Sequence, residues 1–330
     1  MNNRRKLLIA LGAGALVAPF GSFAQQQGKV WRIGILWERW QPSQEYLQRI
    51  DAFKAGLRDF GYSEGSDFVI EQRNANADLA RLPELAAALL ALKVDVIVAP
   101  TTPSAMAARN FTHDIPILIV TVGDPVGSGL AASLRHPGGI VTGLTNLSAS
   151  LTTKHLDLLR EMLPRMRRVG YLYNPHNAAN VINLRQFESD CAKLQFKSIR
   201  AAVSKAEDVA TVFNTLQRDK AQGLIVSGAN TNTAWRESIF ENAANHHIPA
   251  IYAGNTFVEA GGLISYSSNS VDMFRRLAAY ADKIFKGAKP RDLPIEQPTK
   301  FELLVNMKTA KTLGINIPNS ILVRADKVIE

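Results

Sequence analysis

Three short stretches place a polar side chain beside a proline at the end of an apolar run. They are Thr101-Thr102-Pro103-Ser104 after VIVAP, Gly123-Asp124-Pro125 after ILIVTV, and Asn174-Pro175 after VGYLY. Thr, Asp and Asn side chains accept backbone N–H bonds at helix starts, and proline suits a first helical position because it has no N–H to leave unpaired. The chemistry these residues can do is binding. Free N–H groups and a partial positive charge at a helix start attract a carboxylate or phosphate. The hydroxyls of Thr101, Thr102 and Ser104 add donors. Asp124 has two compatible readings: the cap of a helix opening at Pro125, and a contact to a ligand's cationic or hydroxyl group.

Further candidates lie after other apolar runs. Trp37 and Trp40, in LWERW, either cover an apolar or aromatic ligand or pack on the following helix. Tyr173, Tyr252 and Ser227 also fall at strand ends, and Gly123 lies in the same loop as Asp124. Catalytic and cofactor patterns are missing. There is no G-x-S-x-G elbow and no G-x-x-x-x-G-K-[ST] phosphate loop. His246 and His247 are adjacent and diverge on a helix, so they lack metal-ligand spacing. The reading is a non-enzyme with no cofactor and no metal.

These residues need strands to end beside one another, and the chain has that rhythm. VWRIGIL, DFVIEQR, VDVIVAP, IPILIVTV and GIVTGLT read as strands. Helical periodicity fills residues 45–60 and 79–90, then TPSAMAARN and a short PVGSGLAASL helix. A second series begins near Lys154 and passes through RVGYLYN, FKSIRAAV, GLIVSG and IPAIYA, each preceded by a helical stretch. Strands alternating with helices predict parallel sheets covered on both faces. GGLISYS, the amphipathic 271–287 and FELLVNM follow, and a strand–helix unit here predicts a return to the first domain.

MNNRRK, LLIALGAGALVAPF and SFA have the basic, apolar and small-residue order of a secretory leader, with cleavage after Ala24. Its apolar core is shorter than the ~20 residues a bilayer span needs. Arg4-Arg5 leaves Sec and twin-arginine export both open. The leader has no cysteine for lipid attachment, which predicts a freely soluble periplasmic protein. Cys191 is the only cysteine among 330 residues, so no internal disulfide can form. The formal charge is +9, but no basic run interleaves with aromatics, which argues against a nucleic-acid partner.

The segments IGILWERW, VIVAPTTPSAMAAR, IPILIVTVGDPVGSGLAASLRHPGGIVTGLT, VGYLYNPHN and IEQPTKFELLVNMKTAKTLGI together resemble the substrate-binding proteins of ABC transporters, in particular the tryptophan/tyrosine-binding (TrpX-like) family. GDPVGSGL and QPTKFELLVN carry the resemblance most specifically. It implies an α/β, type I periplasmic binding fold: two doubly wound lobes joined by three hinge crossovers, expected near Gly143, Gly262 and Pro298. One lobe would comprise 29–143 plus 263–297, the other 144–262 plus 298–330. It implies a binding protein that closes on a small solute, an amino acid (aromatic ones included) or a small carboxylate, and delivers it to permease subunits; a monomer is expected. An exported ligand sensor would need the same cleft. Ligand identity does not transfer with the fold.

Overall fold

The computed structural model describes residues 29–39 and 44–330. The leader (1–24) and Trp40 lie outside the described residues. The first series is β1 (Trp31–Trp37), α1 (Gln44–Asp59), β2 (Phe68–Asn74), α2 (Leu82–Ala91), β3 (Val96–Ala99), α3 (Thr102–Phe111), β4 (Ile117–Val122) and β5 (Val141–Thr145). These strands form one parallel sheet in the order β2-β1-β3-β4-β5. All four residues of β3 are buried, as a strand covered on both faces requires. Alternate side chains serve opposite faces. Ile33, Ile35 and Trp37 of β1 pack toward α1, whereas Leu36 joins the core under α2 and α3.

The second series is α4 (Ser148–Met162), β6 (Arg168–Tyr173), α5 (Ala178–Lys193), β7 (Lys197–Ala202), α6 (Asp208–Arg218), β8 (Gly223–Val226), α7 (Asn230–Ala234), α8 (Arg236–Asn245), β9 (Ala250–Tyr252), α9 (Asn255–Glu259) and β10 (Ile264–Ser268). The chain ends with α10 (Ser270–Phe285), β11 (Phe301–Asn306), α11 (Met307–Thr312), α12 (Asn319–Leu322) and β12 (Lys327–Ile329). The second sheet has the order β12-β11-β10-β9-β8-β6-β7. Only β11 runs antiparallel to its neighbour β10. The stretch β7-β6-β8-β9-β10 repeats the order of the first sheet. Each lobe is therefore doubly wound, with a switch point on either side of which the crossovers leave in opposite directions.

The chain crosses between lobes three times: after β5, between β10 and α10, and before β11. The strand at 264–268 was expected in the first lobe, and this assignment is corrected. Ile264 pairs with Ile251 of β9 and Val305 of β11, so the strand extends the second sheet. The return is made by α10, whose Phe274, Leu277 and Ala278 join the core over the first sheet. Helices α1 and α10 approach closely at Gly56, where an added Cβ would lie 2.6 Å from that of Ala278. The first crossing also falls later than Gly143, because β5 continues to Thr145 within the first sheet.

A second correction concerns residues 125–134, expected as a short helix and found as a run of turns over 125–129 followed by irregular chain. Gly127 and Gly129 lie two residues apart, and each glycine in a helix costs about 1 kcal/mol relative to alanine. Gly129 instead adopts φ +74. Cys191 is buried in the second core; burial first, then the charges of Asp190 and Glu188, push its thiol up to about 12.

Candidate functional site

Ligands of open α/β sheets bind beyond the carboxyl ends of the strands, at the switch point. In the first lobe that point lies between β1 and β3. The residues there are Glu38, directly after β1, and Thr101 and Thr102, at the start of α3. In the second lobe it lies between β6 and β8, and the nearby residues are Asn177, Asn180 and Gly228. The two sets face one cleft of about 1020 Å³. Further walls come from Arg49 on α1, Ser148 on α4, Asn183 on α5, Asn255 and Phe257 on α9, and Glu302 on β11. The lining is chiefly amide, hydroxyl and carboxylate.

Local capping explains much of the geometry. Thr101 Oγ1 accepts from Ser104 N–H at 3.4 Å, and Ser104 Oγ accepts from Thr101 N–H at 3.0 Å, a reciprocal box that starts α3. Asn177 Oδ1 accepts from Ala179 N–H at 3.0 Å and starts α5. That correction follows from the structure: Asn177, three residues beyond Asn174, is the cap. Asn174 instead accepts from His176 N–H at 2.8 Å and donates to Thr231 Oγ1 at 3.1 Å.

Of the residues singled out in the sequence, Thr101, Thr102 and Gly123 line the cleft. Ser104 is fully buried in its capping box. Asp124 stands outside the lining; its Oδ1 accepts from Gly127 N–H at 2.8 Å and closes a turn. Trp37 is corrected to a core residue. It is 1% exposed, donates to Gln72 Oε1 at 2.8 Å, and stacks on Phe274 at 5.9 Å. Tyr173 packs beside Tyr171 in the second core. Tyr252 stacks on Phe257 at 5.1 Å and so supports a lining residue from behind. Asn174 and Ser227 act similarly. Asn174 N–H and Ser227 Oγ–H both donate to Asn180 Oδ1, at 3.1 and 2.9 Å, and fix the amide that faces the cleft.

Sequence reasoning missed Glu38, Asn180, Asn183, Asn255 and Glu302. Glu38 was within reach of the strand-end rule, since it sits between the two tryptophans that the rule selected. It is 1% exposed and its Oε2 has no hydrogen-bond partner among the described residues. Burial pushes its carboxyl up to about 7, against the opposing pull of the Thr101 side chain. Glu302 is better satisfied: Asn255 and Asn269 amides donate to its two oxygens at 2.7 and 2.8 Å. Asn255 Oδ1 in turn accepts from Ser265 and Ser267. Asn269 also caps α10 through Asp272 N–H at 2.9 Å. This network joins β10, β11 and α10 where the chain passes between lobes. Among the described residues no group of His, Cys, Asp and Glu could hold a metal ion.

The lobes meet at Gly123. A Cβ there would lie well inside contact distance of Ser148 Oγ and 3.1 Å from the Cβ of Ala179. Both neighbours start helices of the second lobe, so only a residue without a side chain allows this approach.

Residues 43–329 match the family described as ABC transporter substrate binding protein. The chain belongs to this family. Its members are extracytoplasmic binding proteins, not enzymes. A tyrosine-binding protein of Clostridioides difficile (strain R20291) is 28% identical over 263 residues, covering 80% of this chain and 75% of the relative. A Streptococcus pneumonia ABC domain solved in complex with L-Trp is 25% identical, with a TM-score of 0.84 over 91% of this chain and 100% of that one. A ligand-free, open substrate binding protein with adhesive properties from Clostridium difficile is 28% identical, with a TM-score of 0.66 over 91% of this chain and 99% of the other. The resemblance to the tryptophan/tyrosine-binding branch therefore holds, and with it the type I periplasmic binding fold. No helix of the described part of this binding protein is long and apolar enough to cross a membrane.

Proposed function

We propose that this binding protein captures a small solute between its lobes, closes on it, and presents it to the permease of an ABC importer. The observation that carries the reading is the cleft itself. Both switch points open into it, and the chain passes between the lobes three times beside it. Rotation about those passages would separate the lobes without breaking either sheet, as in hinge closure around a ligand. The close approach at Gly123 fits a closed arrangement. So does the higher similarity to the L-Trp complex than to the open, ligand-free relative at comparable identity and coverage. Thr101, Thr102 and Gly123 are proposed as ligand-facing positions, with Trp40 retained from the sequence. The lobes are proposed to divide near the three crossings, and the protein to work as a periplasmic monomer after loss of its leader.

Small-angle scattering tests the central claim. The protein is titrated with L-tryptophan, L-tyrosine and a panel of polar amino acids, and the radius of gyration is followed. A decrease with a saturating solute is expected. A bound solute that leaves the scattering profile unchanged overturns closure. N-terminal sequencing of periplasmic protein should begin near Gln25.

A further inference from the structure

The carboxylates of the cleft are not alike. Glu45 pairs with Arg49 at 2.7 Å, Glu259 with Lys327 at 3.0 Å, and Glu302 lies 3.7 Å from Lys300 while holding two amides. Glu38 has no cationic partner among the described residues, although it is the most deeply buried of them. A buried carboxylate with a free oxygen is costly unless something donates to it. Tyr46, on α1, also buries a hydroxyl with no hydrogen-bond partner among the described residues, and it lies within electrostatic reach of Glu38. The Thr101 side chain reaches the Glu38 carboxyl but leaves Oε2 unpaired among the described residues. Across the cleft, Asn183 donates to Ser148 Oγ at 2.9 Å, while its own carbonyl oxygen is buried and has no partner among the described residues. Each lobe thus presents an unsatisfied acceptor, and the first-lobe acceptor can carry a negative charge.

We infer that the solute carries a primary ammonium group that docks on Glu38 at the floor of the first-lobe wall, which makes Glu38 the specificity-determining residue of this cleft. The inference rests on the solute-binding reading above. An ammonium has three donors and no acceptor, and it supplies both the charge and the hydrogen bond that Glu38 lacks. Ionised Glu38 would repel a solute carboxylate placed at this position. A neutral polyol would satisfy the oxygen but leave the charge uncompensated. The remaining lining of amides and hydroxyls suits a polar molecule around that ammonium.

The test is calorimetric titration of wild type, Glu38→Gln and Glu38→Asp with matched probes. L-Tryptophan, L-tyrosine, L-glutamine and L-serine carry the ammonium. Tryptamine and tyramine carry it without a carboxylate. 3-Indolepropionate and 3-(4-hydroxyphenyl)propionate lack it, and D-arabinose is the neutral polyol. At least one ammonium-bearing probe should bind wild type and weaken about tenfold or more in Glu38→Gln, the range expected for loss of a charge-assisted bond. The deaminated partner should bind weakly and equally to both proteins. Glu38→Asp should keep the preference for ammonium at reduced affinity. Equal binding of deaminated and ammonium forms, or amine affinity unchanged in folded Glu38→Gln, overturns the ammonium assignment and leaves solute binding standing. Binding of no probe to wild type overturns the inference together with the solute reading.

Discussion

Replacing Gly123 by alanine adds a methyl group at the point where the lobes touch. The new Cβ would crowd Ser148 Oγ severely and sit 3.1 Å from the Ala179 Cβ. Ser148 can rotate, but its Oγ accepts from the Asn183 amide at 2.9 Å, and rotation would leave that buried donor unpaired. Ala179 has no torsion to adjust. Overpacking of this kind costs about 1–3 kcal/mol. The lost hydrogen bond adds a cost of about 0.5–1.5 kcal/mol if Ser148 gives way. Both penalties fall on the closed arrangement, because separating the lobes removes the contact. The overpacking penalty alone, about 1–3 kcal/mol on the binding-competent state, weakens affinity about 5- to 150-fold, and loss of the Ser148 hydrogen bond would weaken it further. The ligand-free melting temperature should barely move. Calorimetry with the best-binding solute, paired with scattering, reads both quantities. The double variant Gly123→Ala, Ser148→Ala should recover part of the affinity by removing the Oγ. Wild-type affinity and full compaction in Gly123→Ala would refute the argument that this contact belongs to closure.

Glu38 gives a pH signature. Its folded carboxyl titrates at about 7 rather than 4.5, so between those values the folded protein holds a proton that the unfolded chain has released, and stability falls as pH rises through the window. At ~1.4 kcal/mol per pH unit the gap is worth about 3 kcal/mol, so ligand-free Glu38→Gln should gain about that much over wild type between pH 4.5 and 7 in denaturant titrations. A constant difference across the window would reject the assignment. Trp37→Ala should cost about 3–5 kcal/mol of stability, as loss of a large buried aromatic does, whereas the conservative Trp37→Phe should leave solute affinity within about twofold, a change under roughly 0.5 kcal/mol. A specific affinity loss in stable Trp37→Phe would return the indole to the site. Asp124→Ala should lose about 0.5–2 kcal/mol of stability with the turn bond to Gly127. Asp124→Asn should retain both stability and affinity, and a tenfold affinity loss in Asn would show that the carboxylate touches ligand.

The alternating apolar runs and amphipathic helices were legible because burial on both sheet faces imposes a local, continuous pattern. ILIV at 117–120 and VIV at 96–98 can hardly be anything else, and the residues after them fall at strand ends by geometry alone. Thr101, Thr102 and Gly123 were reached in this way. Partnership between elements was a different matter. The strand at 264–268 has the same local character whichever sheet it joins, and only its pairing with β9 and β11 placed it in the second lobe. The run 125–134 had helical composition, but Gly127 and Gly129 disfavour a helix, and Gly129 takes φ +74 instead. The site suffered most where one residue decides a direction. Strand alternation turns Trp37 into the core with Ile33 and Ile35, and the next position, Glu38, reaches the cleft. Asn180 and Asn183 share one face of α5, and helical spacing alone does not mark that face as different from a solvated one. Tertiary structure alone buries that face, against the ends of β6 and β8 and the start of α4 in the same lobe, and burial is what changes a polar side chain from a solvated surface group into one that needs a partner.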